Sequence, residues 1–82
     1  MTIEDWKKEF AKRLKLQMLE KKIGCRKLSK LSGVNIQSIH NYLNAKQIPN
    51  CVQVLKLANA FGCNVSFLVE FYEPVIFDDV DK

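Results

Sequence analysis

The sequence has 82 residues, of which 48% are apolar and 27% are charged, and its formal net charge is +4. A chain of this length forms one small domain that buries only about 60% of its extended surface, which favours a compact helical bundle over an enzyme with a cleft. Because the N-terminus is polar and no long apolar run follows, we expect no signal peptide, no membrane contact and a cytoplasmic protein.

The first predicted helix begins with a capping box. Thr2 and Asp5 have the required spacing, and we expect the helix to run to about Lys22, with Gly24 marking the break. Its core-facing residues recur at every fourth position and are Trp6, Phe10, Leu14 and Met18.

A second helix is expected over residues 25–32, with Leu28 and Leu31 facing inward. Its outward-facing residues are the basic Arg26, Lys27 and Lys30. Gly33 suits the left-handed conformation that ends a helix, and Asn35 is a good N-cap for the next one. Because so few residues separate the two helices, they must be joined by a tight turn.

The third helix is expected over residues 36–44, and its apolar side consists of Ile39, Tyr42 and Leu43. Ser38 occupies the third helical position. The residues on or near the opposite side are Ile36, Gln37, His40, Asn41 and Asn44. The sequence therefore predicts a short helix whose outer face is polar but uncharged at neutral pH.

A fourth helix is signalled by Pro49 and Asn50 and ended by Gly62, and Asn64 caps a fifth. After Pro74 the pattern changes to β-prone residues among acids. We therefore predict an all-α, compact five-helix domain and a short acidic C-terminal tail or strand. The expected boundaries are residues 1–72 for the domain and 73–82 for the tail.

Charge is distributed unevenly along the chain. Residues 21–69 contain no Asp or Glu and carry +7, whereas residues 1–20 carry +1 and residues 70–82 carry −4. An acid beside a phosphate would repel it, so a segment free of carboxylates suits a polyanion-binding surface. The alternative is a merely solvated basic face, which would usually include some acids.

Cysteine and histidine usage argues against several kinds of site. Cys25, Cys51 and Cys63 lie far apart without a C-x-x-C pair, and His40 is the single histidine, so no disulfide framework, metal site or cofactor is expected. We interpret the thiols as small apolar fillers. The alternative is a nucleophilic Cys25 or Cys51 paired with His40, which no neighbouring residue supports.

Several short patterns follow one another in a characteristic order. They are L-x-x-x-x-G-V from Leu28, I-x-x-Y-L-N from Ile39, Pro49, L-x-L-A-x-A-F-G from Leu55, and N-V-S-F-L from Asn64. Their order and spacing resemble the Cro/CI-type (XRE-like) helix-turn-helix repressors of phages and bacteria over about 60 residues. The resemblance implies a lambda-repressor-like DNA-binding fold with its helix-turn-helix motif at about residues 25–44.

The resemblance also implies roles for residues. Residues 25–32 would position the motif, and residues 36–44 would read the major groove of double-stranded DNA. Gln37 is the first candidate for a base contact, because a carboxamide can bond to adenine N6 and N7, and Asn41 is the second. The other candidate base contacts are Ile36, on a thymine methyl, and His40. The candidate phosphate contacts are Arg26, Lys27, Asn35, Ser38, Asn44 and Lys46.

Simpler explanations exist for some of these residues. A solvated helix face would also account for Gln37, Asn41 and His40. Ser38 would equally serve only as part of the cap of its own helix.

Two features depart from the family pattern. Cys25 stands where the family commonly has Gln, so the phosphate contact of that side chain is not carried over. Some members join the first and third helices by an Arg–Glu ion pair, and the matching positions here are Met18 and Leu43. We therefore expect an apolar contact between Met18 and Leu43 in place of the ion pair. Hydrophobic packing often stabilises a fold as much as a buried ion pair does, or more.

Three classes of function compete. The first is a sequence-specific transcriptional repressor that binds an operator as a homodimer, with candidate interface residues Phe67, Phe71, Tyr72, Val75, Ile76 and Phe77. The alternatives for the tail are that it folds back on its own domain or is disordered. The second is a protein-interaction module, such as an antirepressor or an antitoxin-like binder, that uses the same fold. The third is an enzyme, which the lack of a Gly-rich phosphate loop and of a credible nucleophile–base pair disfavours.

Overall fold

Five helical segments joined by short turns make up residues 2–69, the part of the chain that the computed structural model describes. They are α1 (Ile3–Lys21), α2 (Cys25–Ser32), α3 (Ile36–Leu43), α4 (Cys51–Phe61) and α5 (Ser66–Val69). The all-α class is thus confirmed for the described residues. Because α5 is a single turn of four residues, the predicted five-helix arrangement stays a prediction. The predicted tail lies outside the described residues.

Local hydrogen bonds set both ends of α1. The Thr2 hydroxyl accepts a hydrogen bond from the Asp5 amide at 3.1 Å, and the Asp5 carboxylate accepts one from the Thr2 amide at 3.4 Å, which confirms the capping box. The hydrogen bond from the Thr2 amide, together with one from the Thr2 side chain, favours the ionised carboxylate and lowers the pKa of Asp5. At the other end, Lys22 takes the left-handed conformation (φ 57°) and its amide donates to the Leu19 carbonyl oxygen at 3.2 Å.

Gly24 lies in the break between α1 and α2, as predicted, although it is not the residue that closes α1. Its backbone is extended (φ −84°, ψ 176°), and it immediately precedes α2 as the N-cap. The reason is that Lys22 already closes α1, so that Gly24 is free to serve the next helix. The two later glycines behave as predicted, with φ of 78° at Gly33 and 71° at Gly62.

The cap of α4 is as predicted, but the start of α5 is not. The Asn50 side chain accepts a hydrogen bond from the Gln53 amide at 2.9 Å and so caps α4. At α5, Val65 rather than Asn64 precedes the first helical residue. The Val65 carbonyl oxygen accepts from the amides of Leu68 and Val69 at 2.9 and 3.2 Å.

The core lies where α1 packs on α3, α4 and α5, and where α2 packs on α3 and α4. Phe10 is at its centre, with its ring stacked on Trp6 at 5.4 Å and set edge-on to Tyr42 at 6.0 Å. The largest fully buried side chains are Phe10, Leu14, Leu28, Val34, Ile39, Leu57 and Leu68. Leu31 was predicted to face inward, but it is 53% exposed. The side of α2 that packs on α3 and α4 contains Leu28, which is fully buried, and not Leu31.

The cysteines have two environments. Cys25 and Cys63 are half-buried against the core, as predicted for small apolar fillers, and burial raises the pKa of the Cys63 thiol. Cys51 is exposed, so the prediction is wrong there: it opens α4 at the surface rather than filling the interior. Among residues 2–69, no helix has both the length and the apolar character that crossing a bilayer requires.

Candidate nucleic-acid interface

The turn between α2 and α3 is held by two serine hydroxyls. Ser29 Oγ donates to the Val34 carbonyl oxygen at 2.7 Å. Ser32 Oγ donates to the Leu28 carbonyl oxygen at 2.7 Å and accepts from the Val34 amide at 3.1 Å. Val34 itself is buried. These bonds satisfy the backbone of the turn and set the direction in which α3 leaves it. Sequence reasoning did not single out either serine.

The apolar side of α3 attaches the helix to the core. Ile39 is fully buried and Tyr42 nearly so, and Leu43 is half-buried. Burial raises the pKa of the Tyr42 hydroxyl, and a hydrogen bond with Ser38 partly offsets that rise. Ser38 therefore has a partner within its own helix.

The opposite side of α3 faces solvent, as the sequence predicts. Gln37, His40 and Asn44 are exposed, while Ile36 and Asn41 are half-buried. Asn35 caps the helix, with its side-chain oxygen accepting from the Gln37 amide at 2.7 Å, and its amide group keeps donors for another partner. The base-reading candidates thus lie on one accessible helix face.

Three carboxamides are linked across this face. Gln37 Nε2 donates to Asn41 Oδ1 at 3.4 Å, and Asn41 Nδ2 donates to Gln47 Oε1 at 3.1 Å. We refer to Gln37, Asn41 and Gln47 as the carboxamide chain. Gln47 is exposed and belongs to the loop after α3. Sequence reasoning missed it, and the available signal was a third carboxamide shortly after the end of a polar helix.

The backbone after α3 explains why Gln47 lies beside Asn41. Ala45 adopts the left-handed conformation (φ 57°), and its amide donates to the Tyr42 carbonyl oxygen at 3.1 Å. The chain therefore turns back, and the Lys46 amide donates to the Asn41 carbonyl oxygen at 2.8 Å. The next residue, Gln47, is thereby brought alongside the outer face of α3.

Basic groups flank the carboxamide chain. Arg26 and Lys27 are exposed in the first turn of α2, whose N-cap Gly24 offers no side-chain cap to the amides there. Lys46 is exposed in the loop after α3. No carboxylate occurs between residues 21 and 69, and the ion pairs Lys7–Glu4 (3.0 Å) and Arg13–Glu9 (3.3 Å) both lie on α1. In residues 2–69, no three potential ligands among His, Cys, Asp and Glu are grouped as a metal ion would need.

The junction between α1 and α3 is apolar at the two positions where the sequence predicts an apolar contact. Met18 and Leu43 are both half-buried against the core, and both line one cavity of about 410 Å³. Of the candidate dimer residues, Phe71, Tyr72, Val75, Ile76 and Phe77 lie outside the described residues, as does the side chain of Phe67.

Two of three comparisons with known proteins gave no result: a search of curated proteins and a search of solved structures each found no match. The scan against protein families matched residues 13–74, a segment that contains α2, the turn, α3 and the carboxamide chain. That match covers more than half of the chain, and its family is the Cro/C1-type HTH DNA-binding domain. The chain therefore belongs to the Cro/C1-type helix-turn-helix DNA-binding domain family, as its motifs predict.

Proposed function

We propose that this protein is a sequence-specific regulator of transcription, a repressor of the phage or mobile-element type, that acts on double-stranded DNA in the cytoplasm. The observation that carries the proposal is the carboxamide chain, which runs from the outer face of α3 to the loop after it within a segment free of carboxylates. An α-helix fits the major groove of B-DNA, and polar side chains on its outer face can bond to base edges.

Gln37 is the principal reader in this proposal. Its Nε2 gives only one hydrogen to Asn41, so a second N–H donor and the Oε1 acceptor stay available. This donor–acceptor pair matches N7 and N6 of adenine. Asn41 uses its oxygen and one hydrogen within the chain, which makes it an orienting residue as well as a second base contact. Ile36 and His40 extend the reading surface on either side.

The phosphate contacts hold the helix in register. Arg26, Lys27 and the uncapped amides at the start of α2 are suited to one phosphate strand, because a helix N-terminus attracts anions. Lys46 follows α3 on the other side. Asn35, Ser38 and Asn44 supply neutral donors at the ends of the reading helix.

The proposal includes binding as a homodimer. A single module of this size contacts limited DNA, and a dimer gains specificity by reading two half-sites about 34 Å apart. The domain would span residues 1–72, and residues 73–82 would form an acidic tail. The contact between copies would come from Phe67, Phe71, Tyr72, Val75, Ile76 and Phe77.

Selection of bound sequences from a random duplex pool tests this function, and the half-site symmetry of the consensus tests the dimer. Gln37→Ala should weaken binding to the consensus by about 1–3 kcal/mol while leaving binding to random DNA unchanged. Equal losses on both duplexes would show that Gln37 does not read bases. Failure of the chain to bind any duplex at low ionic strength would overturn the proposal.

Salt dependence separates DNA binding from the second candidate, a protein-interaction module with the same fold. The observation that favours that candidate is the exposure of apolar side chains such as Leu31 and Leu19. DNA binding should weaken with a log–log slope of about −0.9 per phosphate contact, and Arg26→Ala and Lys27→Ala should each reduce that slope. The affinity for a protein partner that docks on apolar residues should depend little on salt concentration.

A further inference from the structure

An apolar groove lies on the side of the domain formed by α1, α4 and α5. It has a volume of about 560 Å³ and is lined by Thr2, Ile3, Trp6, Ile48, Pro49, Cys51, Val54, Leu55, Val65 and Val69. Ile3 is 65% exposed and Leu55 51% exposed at its edges. None of the lining residues belongs to α2, α3 or the carboxamide chain, so the groove does not include the candidate nucleic-acid interface, although Ile48 of its lining directly follows Gln47.

We propose that the groove binds the chain's own C-terminal segment, residues 71–77. The first reason is position: Val69, the last described residue, is itself part of the groove wall. The following residues therefore start at the groove, and at about 3.3 Å per residue they can reach along it. The tether also gives the segment an effective concentration in the millimolar range, which no second chain matches at ordinary concentrations.

The chemistry of the segment fits the groove. Its apolar residues are Phe71, Tyr72, Val75, Ile76 and Phe77, which are the kind of side chains that an apolar groove removes from water. The groove lining contains no charged residue, and the segment contains one acid, Glu73, which needs only one basic group near the groove. An exposed lysine, Lys56, lies next to Leu55 on the groove wall.

This contact is compatible with the proposed dimer. In an extended segment, successive side chains point to opposite faces, so Phe71, Val75 and Phe77 can enter the groove while the candidate interface residues Tyr72 and Ile76 meet a second copy. The inference does not depend on DNA binding, and its test involves no DNA.

The test uses the reactivity of the Cys51 thiol, an exposed residue of the groove wall. In the full-length chain with Cys25→Ser and Cys63→Ser, Cys51 is the single thiol. We expect the combined substitution Phe71→Ser, Val75→Ser and Phe77→Ser to speed its modification by an aromatic disulfide reagent about tenfold or more. The rates should not change over about a hundredfold range of protein concentration.

Two controls make the result specific. A chain that retains Cys63 alone reports general opening, because Cys63 does not line the groove, and its rate should be unaffected by the tail substitutions. Leu19→Ser removes an exposed apolar side chain elsewhere on α1, and it should leave the Cys51 rate unchanged.

The emission of Trp6, the single tryptophan, gives a second measurement that needs no cysteine substitution. The tail substitutions should shift it to the red as water enters the groove. Equal Cys51 rates and equal Trp6 emission with and without the tail substitutions would overturn the proposal. Protection of Cys51 that rises with protein concentration would also overturn it, and would assign the groove to a second copy.

Discussion

The carboxamide chain makes a prediction about a residue outside the reading helix, Gln47. The Asn41 Nδ2 to Gln47 Oε1 distance of 3.1 Å lies within the usual range for such a bond, whereas the Gln37 to Asn41 distance of 3.4 Å lies beyond it. Gln47 therefore orients the Asn41 amide more strongly than Gln37 does. Removing it should leave the Asn41 side chain free to rotate before it meets DNA.

The expected magnitude follows from the exposure of these groups. A single exposed hydrogen bond contributes about 0.5–1.5 kcal/mol, so Gln47→Ala should raise the dissociation constant for the consensus duplex about 2- to 12-fold. Because Gln47 acts through Asn41, the double variant Asn41→Ala/Gln47→Ala should bind about as weakly as Asn41→Ala alone, within about 0.5 kcal/mol. Binding to random DNA should change little in all three variants.

Fluorescence anisotropy with labelled duplexes at fixed ionic strength measures these constants. Asn59→Ala is the matched control, since it removes an exposed carboxamide from α4. Fully additive losses in the double variant would refute the orienting role, because Gln47 would then contact DNA independently of Asn41. Wild-type affinity in Gln47→Ala would likewise refute it.

Three further predictions concern the fold. Lys22→Gly should raise the free energy of unfolding by about 0.5–1 kcal/mol, because Lys22 holds the left-handed conformation that glycine adopts without strain. Ser32→Ala should lower it by about 1–3 kcal/mol, because the Val34 amide loses its partner in a half-buried turn. Asp5, whose pKa is lowered below 3.8, should stabilise the fold above that pH and lose this effect as pH falls through its folded pKa.

Urea unfolding followed by circular dichroism measures the free energy of unfolding in all three predictions. Lys12→Gly is the control for the Lys22→Gly prediction, since it places glycine at an exposed position in the interior of α1 and should destabilise the fold by about 1 kcal/mol. Ser66→Ala is the control for the Ser32→Ala prediction, since it removes the hydroxyl of an exposed serine in α5. For the third, Asp5→Asn should remove the stability difference between neutral and acidic pH that the capping box causes. A more stable Ser32→Ala, or an Asp5→Asn chain with undiminished pH dependence, would contradict the corresponding reasoning.

Much of the fold could be predicted from the sequence because its signals are local. A capping side chain, a glycine after a helix and the spacing of apolar residues each act within a few residues of the chain. Thr2, Asn35 and Gly33 accordingly behave as predicted, and the bounds of α2 and α3 are correct to within one residue. Belonging to the family could be predicted for the same reason, since its motifs are short patterns in a fixed order.

The candidate site could be predicted only in part. The outer face of α3, with Gln37 and Asn41, follows from helical periodicity. Ser29 and Ser32 could not be assigned to the turn, because their hydroxyls have several possible partners until the path of the backbone is known. The left-handed conformation of Lys22 could not be predicted either, because periodicity and charge do not reveal that a lysine takes a position that glycine usually occupies.

Sequence by itself determined which segments are helical, where most of them are capped, and that a long middle segment carries no acid. Only the tertiary structure decided that Leu28 is buried while Leu31 is exposed, because the packing of α2 against α3 and α4 selects the side of the helix that faces the core. It also placed Gln47 beside Asn41, through an alanine in a left-handed turn. Helix formation depends on neighbours in the chain, whereas these contacts depend on how separate segments are held against one another.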